Sequence, residues 1–200
     1  DIIEHKIERT SQLPLKMQDI QRAKRIIGRL ACLGHGCSHY MTRDCDEFYD
    51  PSQFEQALNL AEREELIICG LYDYIGSPTR RSKNISPLHV PVIQKSEIEM
   101  CARDFGVLLD HERTCAAGSC RILGHDELMM HHMTAVRYNR EEMMRKFQGH
   151  SHFMRLGEVA IQEYLQMIET FQNETCEVVE DQFGILEYWD SEFRRIYEAV

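Results

Sequence analysis

The chain has 200 residues, a formal net charge of −10, 43% apolar and 28% charged side chains, which is the make-up of one globular domain able to bury a core without metals or disulfides. The negative surplus disfavours nonspecific binding to nucleic acid or to anionic membranes, since both are coated with phosphate. The longest apolar run, Leu66 to Tyr72, is far short of the ~20 residues that span a bilayer.

No secretory signal opens the sequence, and its first residue is Asp1 rather than Met, as in a fragment or a processed product. Eight Cys are mixed with ten His, unlike the Cys frameworks of short secreted domains. The expectation is free thiols in an intracellular, reducing compartment.

In chain order, Ile20, Ala23, Ile26, Ile27 and Leu30 recur at helical spacing and predict a helix over about 15–33, broken by Gly34 and Gly36. Asp50-Pro51-Ser52 is a helix start, with Asp50 capping free amides and Pro51 at the first helical position. Phe54, Leu58, Ala61, Leu66, Cys69 and Tyr72 extend that helix to about Ile75, before Gly76-Ser77-Pro78. Residues 77–94 hold Pro78, Pro87 and Pro91 with Arg80, Arg81 and Lys83, and read as an irregular loop. Ser96 and Glu99 form a capping box for a helix to about His111. Further helices are predicted over about 125–147, 151–180 and 186–199, the last carrying Trp189. The expected fold is therefore all-α, an irregular bundle of five or six helices in one domain over 1–200, with a possible sub-division at the 77–94 loop.

Two segments crowd sulfur and imidazole ligands. The first holds Cys32, His35, Cys37, His39 and Cys45; the second holds His111, Cys115, Cys120 and His125. Thiolate and imidazole are the ligands Zn²⁺ prefers, four at a time in a tetrahedron. A helix end, a Gly118-containing turn and a helix start would fold the second set inward. The plainer alternative is small buried thiols and surface imidazoles. The run Met129, Met130, His131, His132, Met133, Met143, Met144, His150, His152 and Met154 offers copper ligands, or simply core methionines.

Other chemistry is thinner. No His has Glu three residues before it, so di-iron chemistry would draw on His35, His39, Glu62, Glu65, Glu127, His131 and His150 without the usual pairing. A catalytic thiol at Cys115 or Cys120 beside His111 shares its residues with the zinc reading. The stretch Leu33-Gly34-His35-Gly36-Cys37-Ser38-His39 resembles a fragment of the HD phosphohydrolase motif. This chain has Ala31-Cys32 where that family has its His-Asp pair, and the resemblance implies a metal-activated water only if His35 converges with His125 and Asp126. Ser77 to Ser82 reads as a solvated connection or a phosphorylated loop. The expected function is zinc-dependent binding through protein or peptide contacts, with a metal-dependent enzyme of di-iron (iron-containing) or hydrolase type as the alternative. Neither membrane nor nucleic-acid partners are expected.

Overall fold

The computed structural model describes residues 17–99, 105–110, 113, 117–136, 141–142, 145 and 176–188. Among them the fold is not an all-α bundle. It is a curled, mixed, nine-stranded sheet with two α-helices.

The helices are α1, Met17–Gly34, and α2, Pro51–Ala61. α1 starts and stops close to where the sequence places it, and α2 starts where the sequence places it. Asp50 caps α2, its carboxylate accepting from the amides of Ser52 (2.9 Å) and Gln53 (3.0 Å). Those bonds, with the Ser52 hydroxyl foremost, hold the Asp50 carboxyl below its ordinary range.

The strands are β1 (His39–Met41), β2 (Glu47–Tyr49), β3 (Leu66–Ile75), β4 (Arg80–Ser82), β5 (Leu88–Lys95), β6 (Leu108–Leu109), β7 (Arg121–Leu123), β8 (Met129–Ala135) and β9 (Cys176–Val178). A short 3-10 helix follows at Ile185–Tyr188.

β3 is the hub. Along one edge it pairs antiparallel with β5, and along the other in parallel with β7 and then β8. Its end pairs with β4, which carries β9. β2 lies outside β8, and β1 and β6 lie outside β5. Both faces of β3 are covered. Ile67, Cys69 and Leu71 meet Ala57 and Ala61 of α2 with Val90, Val92, Leu128 and Met130. Leu66 and Ile68 point the other way, to Leu109 and Ala117.

That double burial is why the helix expected to reach Ile75 is corrected. It ends at Ala61, and the continuous apolar run that follows is a strand sealed on both sides, which lacks the alternation of a half-exposed one. The irregular loop expected over 77–94 is corrected too, because β4 and most of β5 lie in it. Pro91 misled the reading. It sits opposite Ile68, where the β3–β5 register shifts, and a ladder irregularity is one of the few places a strand tolerates proline. Ser77 and Pro78 are buried in the β3–β4 turn, with the Ser77 hydroxyl 2.8 Å from that of Thr79, so Ser77 is no solvated phosphorylation loop.

The helix expected over 125–147 contains strand β8. Its Met129, Met130 and Met133 are buried, as core methionines rather than copper ligands. The helix expected from Ser96 contains β6 toward its end, and the one expected over 151–180 contains β9. Residues 141, 142 and 145 are helical, while 100–104, 111, 137–140, 143–144, 146–175 and 189–200, with Met143, Met144, His150, His152 and Met154 among them, lie outside the described residues.

Candidate interaction surface

Arg113 is the anchor of the polar interior. It is 2% exposed, and its guanidinium meets both Glu47 oxygens, one at 2.9 Å, with Asp44 at 3.0 Å and Asp110 at 2.9 Å. Burial opposes its charge, but Glu47 overcomes that and holds the guanidinium protonated above its ordinary range.

Asp44 Oδ2 also accepts from Arg25 of α1 at 3.2 Å. One turn on, Arg29 is 8% exposed and donates 2.9 Å to the Ser96 carbonyl. Arg25 and Arg29 therefore form the inward face of α1. Ile27 lies two residues from each, on the opposite side of the helix. Ile27 is 44% exposed, Leu30 38% and Leu33 44%, with Ala23 and Ala31 exposed beside them. α1 is thus attached by its cations and turns its apolar stripe outward, the reverse of an ordinary surface helix.

The contacts of α1 and its open face can be set side by side in magnitude. A buried, charge-assisted hydrogen bond contributes about 1.5–3 kcal/mol and a half-exposed ion pair about 1 or less. Full burial of an aliphatic side chain contributes about 1.5–3 kcal/mol.

A second cluster is closed. Nδ1 of His131 on β8 lies 2.8 Å from the Tyr74 hydroxyl and 3.0 Å from the Gln182 amide nitrogen. Phe183 packs edge-on at 5.1 Å between centroids, and Tyr72 and Tyr74 lie at 5.7 Å. Arg81 lies 4.0 Å over the Tyr72 ring and pairs with Glu177 at 2.9 Å. Burial first, and then Arg81, push the His131 pKa down to about 4, and burial pushes Tyr74 up to about 12. Both are neutral near pH 7, and together with Gln182 they fasten the 176–188 segment to the sheet.

The sulfur and imidazole groups scatter. Cys32 is half-buried on α1, His35, Cys37 and Cys45 are exposed, and the His39 ring meets Ser38 Oγ at 3.0 Å. Cys120 packs against the Leu66–Ile68 core. His125 is exposed, 3.5 Å from Asp126. His111 and Cys115 lie outside the described residues. Among the described residues no three His, Cys, Asp or Glu groups gather where they could hold a metal ion. The reason in the first cluster is geometric: the turn after α1 keeps only Cys32 and Cys37 adjacent, while His39 and Cys45 leave along a strand and a loop. Of the di-iron candidates, Glu65 is tied to the amides of Gly118 and Ser119, and Glu127 to Gly124 and Arg121, while His150 is outside the described residues. The convergence of His35, His125 and Asp126 that an HD site needs is likewise not among the described groups.

No protein-family model, no curated protein and no solved structure matches this chain. No helix among the described residues is long and apolar enough to cross a membrane. Sequence reasoning found Ala23, Ile27 and Leu30 by their helical spacing but not the direction in which they face. The available signal was Arg25 and Arg29, one turn apart on the other face, although spacing alone does not tell which face turns inward.

Proposed function

We propose that this protein acts through protein–protein contact, presenting the outward stripe of α1 to an amphipathic helix with acidic flanks. The observation that carries the reading is the orientation of α1, with Arg25 and Arg29 inward and Ile27, Leu30 and Ala31 exposed on another face. Amphipathic helices dock on such stripes through anchors at i, i+3, i+4 and i+7.

Charge selects the partner. With Arg25 and Arg29 turned inward and engaged by Asp44 and the Ser96 carbonyl, the cation that borders the stripe is Lys24, in a chain of net −10. Lys24 is exposed at the edge of the stripe. A second copy would set like charges beside each other, and an anionic membrane would meet the negative bulk of the molecule. An acidic helix answers both the stripe and its cationic border.

The test uses the full chain and a fluorescent, designed peptide helix with a Leu face and Glu flanks, read by anisotropy. Binding is expected, weakened at least tenfold by Ile27→Asp with Leu30→Asp, and weakened a few-fold by Lys24→Glu or by added salt. Peptide binding unchanged by the double substitution defeats the proposal. So does wild-type protein that ignores the peptide while self-associating in sedimentation or binding anionic vesicles.

A further inference from the structure

Three features of the turn after α1 point to one chemistry. Gly36 has φ +76°, its amide donates 3.0 Å to the Leu33 carbonyl, and the Cys37 amide donates 2.9 Å to the Cys32 carbonyl. This pair of bonds, closing around a left-handed glycine, is the Schellman ending of a helix. Its geometry sets the side chain of the last-turn residue against that of the residue just past the glycine, a place usually filled by two apolar groups. Here both are thiols. The direct 2.9 Å bond from the Cys37 amide to the Cys32 carbonyl also limits the Cα separation to no more than the upper end of the range a cystine spans.

We propose that Cys32 and Cys37 are a reversible dithiol–disulfide couple that staples the C-terminal end of α1. The inference is independent of the docking reading, since it rests on the turn and not on the stripe. Cys37 is exposed and Cys32 half-buried, so an oxidant reaches Cys37 first. With a hydroperoxide as oxidant, the Cys37 thiolate attacks the peroxide oxygen and the O–O bond breaks. The products are a sulfenic acid and one molecule of water or alcohol. The Cys32 thiolate then attacks the Cys37 sulfur, the S–O bond breaks and water leaves. The sulfurs lose two electrons and the peroxide gains them. A thiol reductant reverses the step. The remaining described cysteines are placed otherwise. Cys69 and Cys176 are buried, Cys120 packs against the second core, and Cys45 lies beyond β1. Burial pushes the Cys69 thiol up to about 12, away from the reactive thiolate.

Trypsin isolates the pair. Cleavage after Arg29 and Arg43 releases residues 30–43, which contain Cys32 and Cys37 and no third cysteine. The full-length protein is reduced, exposed briefly to hydrogen peroxide, alkylated and digested. The expected peptide resists alkylation and is lighter by two hydrogens, and dithiothreitol restores two alkylatable thiols. Sulfoxidation of Met41 adds one oxygen and is distinguished by mass. Gly36→Ala meets no atom within 4 Å but must hold an L side chain at positive φ. It is expected to slow closure at least about fivefold while leaving each thiol alkylatable. Separate alkylation of both cysteines after peroxide, linkage of either to Cys45 or to another chain, or unchanged closure in Gly36→Ala each overturns the proposal.

Discussion

The two helices of this molecule use opposite sides of the same design. α2 turns Ala57 and Ala61 into the core, with Phe54 and Leu60 packed beside them, and leaves Glu55 and Gln56 exposed. α1 turns arginines inward and leaves its aliphatic stripe in the open. The contrast teaches that an amphipathic pattern records where apolar contact is favourable, not that the contact lies within the same fold. α2 is fixed by packing, which is non-directional and tolerates little change in volume. α1 is held through directional bonds from Arg25 and Arg29, with Ile27 and Leu30 left in the open.

The largest expected effect sits on the packed helix. Ala57 is 1% exposed, and Ala57→Asp would bury an unpaired carboxylate, destabilising the protein by about 4 kcal/mol in urea unfolding. If the cost is under 1 kcal/mol, α2 is not sealed and the contrast fails.

The closed polar cluster beside the sheet supplies the next. His131 is lowered from 6.5 to about 4, so the unfolded chain binds the proton first as pH falls. Its stabilising contribution is complete above about pH 6.5 and lost on acidification toward pH 4, an effect of about 3 kcal/mol. His131→Asn should flatten that part of the stability–pH curve. An unchanged slope would show that His131 is not held neutral by its surroundings.

Third, Arg29→Ala removes the charged donor to the Ser96 carbonyl and should cost about 2 kcal/mol of local stability. Amide exchange should speed up along α1 and stay unchanged along α2. Uniform acceleration would mean that the two helices are not held independently.

The smallest effect is the most discriminating. Ile27→Asp, on the open stripe, should change stability by less than about 0.5 kcal/mol. A loss of several kcal/mol would place the stripe in a core and remove the basis for a docking face.

The sequence made α1 and the start of α2 legible because their signals are local: helical spacing, the Asp50-Pro51 cap, and Gly36 beyond the last turn. The sheet was hidden for reasons that are not local. β3 is apolar on both faces, so Leu66 to Leu71 shows no alternation and merges with the helix before it. β8 is built of Met and His, weak strand formers that depend on β3 and β2 for pairing. Pro91 signalled a break, though the ladder absorbs it at a shift in register. The candidate surface was half legible. Its residues stood out by period, but the facing of α1 depends on Asp44 and Ser96, which lie 19 and 67 residues away from their arginine partners. The ligand clusters were misleading because beyond the Cys32–Cys37 turn the chain diverges into separate elements.

The central position of β3 has a consequence for how the protein is made. Its β5 edge can close soon after synthesis, but its other edge waits for residues 121–135. From Ile75 to Ala135 is a further 60 residues (135 − 75), roughly 3–12 s at ordinary ribosomal speeds. Throughout that interval a strand with Leu66, Ile67, Ile68 and Leu71 has one row of amides and carbonyls unpaired, the condition under which nascent chains associate wrongly. A ribosome stalled before residue 121 should therefore display an adhesive, chaperone-dependent intermediate, and one stalled well beyond residue 135 should not.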